Sequence, residues 1–351
     1  MTSPRRGCVY FLVMQDPRDS EGDLGLVKIG ITSAEVLQRV ASLQTGNPYA
    51  LHCFASFDTP WPREVELFLH KSHTMDRYRD EWFRCHRDRL SGLVAEAKIE
   101  ARRIEDYKLK EHLCVSHASN GRGERPARPA ERQLHLEARD VMRECLPTKL
   151  LLNIAKNRLK AATGDTEGIS GIIRVSYVGA TIRFSAARAE SRFPDLAAEC
   201  SDDVISGRFN WKNKPTASDR EKQIAREAKG AAKASERDVL ERNIIPQGWT
   251  DRTPDMERWH DQFLQATQKL SELDAVLANL KTELTIRLGE DDGIEEVCSF
   301  KRQLRPKVNK SVFCKKYPEK AEQCAEHVVP HLRKRVYPHR AYSPVATLAV
   351  D

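Results

Sequence analysis

The sequence predicts a mixed α/β chain: a small antiparallel three-stranded sheet flanked by helices at the N-terminus, then a mainly α-helical C-terminal region built on one long heptad helix. Three observations predict it. Val27, Ile29 and Ile31 alternate with Lys28, Gly30 and Thr32, the period of a half-buried strand. Cys8 to Met14 gives a second apolar strand just upstream, across a Pro/Asp/Gly-rich loop that allows a hairpin placing Tyr10 beside Lys28. Far downstream, Met256, Trp259, Phe263, Ala266, Leu270, Leu273, Leu277, Leu280 and Leu284 recur at spacings of three and four.

Length and composition frame these elements. A chain of 351 residues calls for two or three units. With 40% hydrophobic and 31% charged residues it is neither a membrane protein nor wholly disordered. Composition divides it into residues 1–107, a flexible basic linker over 108–133, a small mixed region over 134–214 and a helical basic region over 215–351. No apolar run reaches the roughly 20 residues of a membrane-crossing helix. No signal-peptide core precedes the first strand, and nine scattered cysteines without a Cys-x-x-Cys pair read as reduced thiols. A cytoplasmic location without a membrane partner is expected.

In the N-terminal unit, Ser33 can cap a helix running to Gln44, with Val36, Leu37, Val40 and Leu43 on one face and Arg39 at its margin, within reach of Lys28 and Tyr10. Ala50 to Phe57 alternates as a third strand. Pro62 opens a helix in which Val65, Phe68 and Leu69 are buried, and Glu66 and His70, one turn apart, share a face. Glu81-Trp-Phe83 is an apolar piece that seals the unit, and a polar helix from about His86 to Tyr107 leads out of it.

Cys8-Val-Tyr10, Val27-Lys-Ile-Gly30-Ile-Thr32, Arg39, Leu43-Gln-Thr-Gly-Asn-Pro48, Glu66-Leu-Phe-Leu-His70 and Glu81-Trp-Phe83 together resemble the GIY-YIG nuclease superfamily. In detail they resemble its phage-type branch, whose second motif reads Lys-Ile-Gly and which is often labelled a DNA-binding domain. The resemblance covers the first quarter of the chain. Cys8 and Val9 stand where the first motif has Gly and Ile, and Lys28 replaces the second tyrosine.

The resemblance implies metal-dependent endonucleolytic hydrolysis of DNA phosphodiester bonds, with Tyr10 as general base. A phenol, whose ordinary pKa is about 10, serves as a base only when a cation lowers it, and Lys28 is the neighbour expected to do so. Arg39 suits a bidentate contact to the scissile phosphate. Glu66 offers one hard carboxylate to Mg²⁺ or Mn²⁺, ions that complete their shells with water and substrate. His70 orients water or donates to phosphate. The alternative is a DNA-binding module that kept the fold without the reaction.

Beyond the turn-rich segment from Val115 to Arg132, Leu134–Leu146 and Thr148–Ala162 read as two helices, 171–178 and 180–185 as a hairpin around Gly179, and 187–200 as a further helix. Arg208 to Lys214 interleaves aromatics with cations as a loop. Asp219–Asn243 is an Ala/Lys/Glu-rich helix, and Thr253-Pro254 starts the heptad helix. Its seam packs either on the preceding helix of the same chain or on a second subunit, giving a homodimer. Cys314, Cys324, His327 and His331 are too irregularly spaced to favour a zinc site.

From Leu288 the tail resembles, faintly, the accessory tail of phage-type recombination exonucleases, whose core is not found here. Between Cys298 and Tyr342, twelve Lys and Arg face only Glu319, Glu322 and Glu326. Lys301, Arg302, Arg305, Lys307, Arg333, Lys334 and Arg335 are accordingly expected to bind the DNA backbone.

Overall fold

β1 (Gly7–Gln15) and β2 (Leu24–Thr32) pair antiparallel, with Tyr10 opposite Gly30 and Leu12 opposite Lys28. Tyr10 is therefore partnered by the glycine and not, as expected, by the lysine. A Cβ at position 30 would fall 2.5 Å from the Tyr10 hydroxyl, so the missing side chain is what lets the phenol lie across β2. The computed structural model describes residues 7–15, 24–45, 47–116, 123–242 and 244–338.

α1 (Val36–Gln44) and β3 (Ala50–Thr59) follow, then α2 (Pro62–Ser72). The segment expected to seal the unit instead enters the sheet. β4 (Arg77–Arg79) and β5 (Trp82–His86) extend it to five strands in the order β3–β1–β2–β5–β4. One face carries Val9, Phe11, Val27, Ile29 and Phe83, buried against Val65 and Leu69 of α2 and Leu93, Val94, Ala97 and Ala101 of α3 (Leu90–Ser116). Each such side chain contributes about 1.5–3 kcal/mol of burial energy. Tyr10, Leu12, Lys28 and Gly30 point to the other face, on the side of α1. α3 continues nine residues past the expected end of the unit, into the segment read as linker; residues 117–122 lie outside the described residues.

The rest of the described chain is an internal repeat. Gly123 and Gly248, Pro129 and Pro254, His135 and His260, Gly164 and Gly289, and Gly168 and Gly293 each stand 125 positions apart. The first copy holds β6 (Glu124–Arg125), α4 (Pro129–Ala162), β7 (Gly168–Ile169), β8 (Ile173–Val178), β9 (Thr181–Phe184), α5 (Ala186–Arg192), α6 (Pro194–Glu199) and β10 (Ser201–Trp211). α7 (Asp219–Glu241) connects it to the second copy and has no counterpart. The second copy holds α8 (Pro254–Leu288), β11 (Gly293–Ile294), β12 (Cys298–Val308), α9 (Lys310–Lys316), α10 (Pro318–Gln323), β13 (Ala325–Val328) and β14 (His331–Val336).

The copies interleave. β8 pairs with β14, β9 with β13 and β10 with β12, all antiparallel and all in equivalent register: Ile173 lies opposite Val336 as Cys298 lies opposite Trp211. Their cores mirror each other. Leu159, Ile169, Ile172 and Ile173 pack with Met256, Trp259 and Phe263 from the start of α8. Leu284, Ile294, Val297 and Cys298 pack with Leu134 from the start of α4. Cys200 and Cys324, Ala197 and Ala321, and Phe193 and Tyr317, each pair 124 positions apart, meet in a shared cluster between the copies.

This arrangement corrects several expectations. The heptad seam of α8 is taken up by α4 of the same chain, its most extensive neighbour, so the seam requires no second subunit. α4 is one helix, not two. Pro147 removes one main-chain hydrogen bond at a cost of about 3 kcal/mol, which packing along α8 offsets. β8 and β9 belong to different sheets and form no hairpin, because each is drawn to a strand of the other copy. Pro194 splits the expected helix over 187–200 into α5 and α6. The boundary at 214/215 and the tail from Leu288 both cut through the interleaved body, since β12, β13 and β14 complete sheets begun in the first copy. No helix among the described residues is long and apolar enough to cross a membrane.

Candidate functional site

Around β2 the N-terminal sheet gathers charged side chains that share one electrostatic neighbourhood. Tyr10 is 1% exposed. Arg39, exposed on α1, donates through Nε to the Tyr10 hydroxyl at 3.4 Å, a long hydrogen bond. The phenol and, more weakly, Glu81 hold the Arg39 guanidinium above its ordinary basicity. The cation beside Tyr10 is thus Arg39. Lys28 is instead buried and forms an ion pair with Glu81.

Glu66 sits half-buried on α2, one residue past the core residue Val65. Burial first, and the Glu81 carboxylate second, push its carboxyl up to about 7, against the opposing pull of Lys28, Arg63 and Arg77. His70, one turn on, is held against β2. Its Nε2 donates to the Ile29 carbonyl at 3.0 Å, and burial holds its pKa down to about 4. The chain turns away at Asp80 after Ile29 N donates to the Glu81 carbonyl, and His70 satisfies the strand oxygen left over. His70 is a positioning residue that ties α2 to β2.

Glu81 and Arg77 are the members that sequence reasoning missed. Glu81 pairs with Lys28 and acts electrostatically on Arg39, Glu66, His70 and Arg77, which makes it the hub of the cluster. The signal lay in the Glu81-Trp-Phe83 motif, where the aromatic pair drew attention from the carboxylate. Arg77 lies over the Phe83 ring at 5.0 Å and donates to the carbonyls of His70 (2.7 Å) and Asp80 (3.1 Å). Burial lowers its pKa to about 10.

Next to this cluster is a cleft of about 850 Å³ lined by Thr32, Ser33, Gln38, Arg39, Trp61 and Arg63. Arg39 joins it to Tyr10, and Arg63 joins it to Glu66. As a metal site the cluster offers few donors. Among the described residues no three His, Cys, Asp or Glu side chains converge on one point. Glu66, with Glu81 nearby, suits an ion such as Mg²⁺ that keeps most of its water. Burial, before the Glu81 charge, raises the proton affinity of Glu66, and Lys28 already brings a cation to both carboxylates.

The basic residues expected to hold DNA scatter. Lys301 and Lys307 are exposed on β12, while the side chains of Arg302 and Arg305 lie outside the described residues. Arg333 and Arg335 are exposed on the outer face of β14. Lys334 turns inward and donates to the Lys160 carbonyl at 2.9 Å, and burial lowers its pKa.

Residues 7–100 match the T5orf172 domain, a phage-associated domain of nuclease-like context. This stretch contains every member of the cluster. No curated protein and no solved structure matches the chain.

Proposed function

We propose that the N-terminal unit is a metal-dependent endonuclease acting on DNA through a GIY-YIG-type site. The observation that carries this reading is Glu66, a half-buried carboxyl held near pKa 7 beside a second carboxylate, in a stretch that matches a nuclease-like domain. In this reading Glu66, assisted by Glu81, holds Mg²⁺ or Mn²⁺, which supplies positive charge on the transferring phosphate and an acidified water. Arg39 leaves the Tyr10 hydroxyl for a phosphate oxygen in the cleft, and Arg63 binds a neighbouring phosphate. Tyr10, uncovered by that movement, acts as the phenolate: its hydroxyl proton passes first to solvent, and Oη then takes a proton from the attacking water. Lys28, fixed by its ion pair with Glu81, stands on the same strand as Gly30, and His70 ties α2 to β2.

One observation favours a binding module without the reaction: Tyr10 is almost fully buried beneath Arg39. A single experiment separates the two. Supercoiled DNA is incubated with the full chain in Mg²⁺ or in EDTA, with Tyr10→Phe and Glu66→Ala alongside. The nuclease reading expects Mg²⁺-dependent nicking that falls about 100-fold or more in both variants. It also expects the rate to rise with pH through about 7, as the Glu66 carboxyl releases its proton to solvent and becomes the carboxylate a metal would need. Tight DNA binding without nicking on any substrate leaves the binding module.

A further inference from the structure

The sheet that β8 of the first copy forms with β14 of the second meets the N-terminal unit across a cleft of about 560 Å³, lined by Arg79, Asp80, Gly171, Arg174, Ser176, Arg333, Arg335 and Tyr337. The alternation of β8 and β14 produces it. Ile173, Val175, Leu332 and Val336 point inward, so Arg174, Ser176, Arg333 and Arg335 point out together. Register then places Arg335 directly opposite Arg174, a like-charge pair that destabilises a sheet when nothing neutralises it. Neither of these arginines, nor Arg333, has a carboxylate partner among the described residues. Asp80 is the carboxylate on the lining, and it faces Arg79 at 3.7 Å.

Behind this lining, Arg77 feels the charge of Arg335, and its buried Nε–H has no hydrogen-bond partner. The protein alone leaves this cleft short of negative charge.

The equivalent sheet, β10 of the first copy with β12 of the second, provides an internal control. The positions equivalent to Gly171, Arg174, Ser176, Arg333, Arg335 and Tyr337 are Glu296, Ser299, Lys301, Arg208, Asn210 and Lys212. That face carries a carboxylate where the cleft has glycine, and its Lys212 forms an ion pair with Glu124. The cleft face has no such carboxylate and gathers more guanidinium groups, the side chain best matched to phosphate.

We infer that the arginine cleft between the β4–β5 turn and the β8–β14 sheet binds the phosphate backbone of a nucleic-acid strand and leads it to the Glu66–Glu81 cluster. That the strand is the substrate rests on the nuclease reading above; that the cleft binds it does not. Arg79 and Arg77 lie on one strand, β4, and Arg77 borders both places, so a strand held by Arg79, Arg174, Arg333 and Arg335 runs past the cluster. The bound phosphates neutralise the Arg174–Arg335 pair and bridge the N-terminal unit to the repeat.

The test measures anisotropy of fluorescein-labelled 20-nucleotide single-stranded and duplex DNA with the full chain in EDTA, across a salt series. Arg174→Gln with Arg335→Gln is expected to weaken binding about tenfold or more. It should also flatten the log–log salt slope by about 0.7–0.9 for each phosphate that the variant no longer neutralises. Gly171→Glu, which imports the carboxylate of the second copy, is expected to weaken binding in the same direction. Removing two charges from the equivalent face, Arg208→Gln with Lys301→Gln, should weaken it several-fold less. Thermal melts of each variant establish that it is folded.

Equal losses from both faces, or no loss from the cleft in folded protein, overturn the inference. So does binding of pyrophosphate or deoxyadenosine triphosphate, measured by calorimetry, to a folded chain that does not bind DNA, which assigns the cleft to a small polyphosphate. The two readings fail separately. Cleft-dependent binding without nicking removes the nuclease and keeps the cleft, and wild-type binding and nicking by folded Arg174→Gln with Arg335→Gln removes the cleft and keeps the nuclease.

Discussion

The two copies of the repeat share a backbone plan and differ in what they expose. In each, a glycine with positive φ precedes a long helix that starts at proline (Gly123 and Pro129, Gly248 and Pro254). In each, a buried histidine on that helix donates to a carbonyl at the end of the last strand: His135 to Lys212 at 3.0 Å, His260 to Tyr337 at 2.8 Å. Conserving these inward features while the outer faces diverge is what two interleaved units require, because each copy completes the other's sheets. The difference teaches that the scaffold is common property and that charge on one face is the specialised part.

The sharpest break between the copies is at Gly168 and Gly293. A Cβ at Gly168 would lie 1.9 Å from the Ile173 carbonyl oxygen, on a backbone with φ of 139°. At Gly293 the nearest atoms are the Cys298 oxygen at 2.8 Å and the flexible Glu124 side chain at 2.9 Å. Gly168→Ala is expected to cost about 4 kcal/mol or more and Gly293→Ala about 1–2 kcal/mol. Urea melts of the two variants check the ratio; equal losses would mean the turns are energetically equivalent despite their geometry.

The histidines test the shared part. His135→Ala and His260→Ala each remove a buried ring and orphan a carbonyl, a loss of about 2–4 kcal/mol. If the pseudo-symmetry is energetic as well as geometric, the two losses agree within about 1 kcal/mol.

Much of the N-terminal unit was legible in the sequence because its signals are local. The alternation in β2, Pro62 at the start of α2 and the i, i+4 spacing of Glu66 and His70 each lie within one element. The five-stranded sheet was not, since β4 and β5 are short and their aromatic residues read as a plug. Nor was the role of His70, whose partner is a backbone carbonyl 41 positions away. The repeat escaped for a different reason. Its identities are sparse, and α4 carries Ala138, Cys145 and Ala155 where α8 carries Phe263, Leu270 and Leu280, so the heptad pattern is visible in one copy and faint in the other. Pro147 then divided α4 on paper. Strand exchange between copies leaves no local trace at all, and β8 with β9 therefore imitated a hairpin.

The comparison extends to the N-terminal unit, whose half-buried histidine His73 meets carboxylates where those of the repeat meet carbonyls. Burial alone would lower the pKa of His73, but the Asp76 carboxylate at 3.7 Å and a hydrogen bond to Glu96 at 3.2 Å overcome it and raise it to about 9 from 6.5. A folded-state pKa above the unfolded one means stability that is complete below about pH 6.5 and is lost as pH rises through about 9. With Asp76 and Glu96 partly exposed, the loss is on the order of 2 kcal/mol. The stability gap between wild type and His73→Gln should therefore shrink over that window; a constant gap would mean His73 is neutral throughout.

The smallest effect sharpens the comparison most finely, at Gly171 and Glu296, equivalent positions that share a left-handed backbone with φ of 69° and 61°. Glycine adopts it freely, whereas glutamate strains by about 1–2 kcal/mol. Glu296→Gly relieves that strain and gives back about 0.5–1 kcal/mol as added freedom of the unfolded chain, for a net gain of roughly 0.5–1 kcal/mol. The hydrogen bond from Asn213 Nδ2 to Glu296 uses the main-chain oxygen and survives the change. Gly171→Glu should lose a similar amount while placing a carboxylate among the arginines of the cleft. Chemical denaturation of both variants reads the two changes against each other: opposite signs of like size mean that backbone strain alone separates the two positions, whereas a loss at Glu296→Gly would mean that the glutamate side chain supports the second copy's turn.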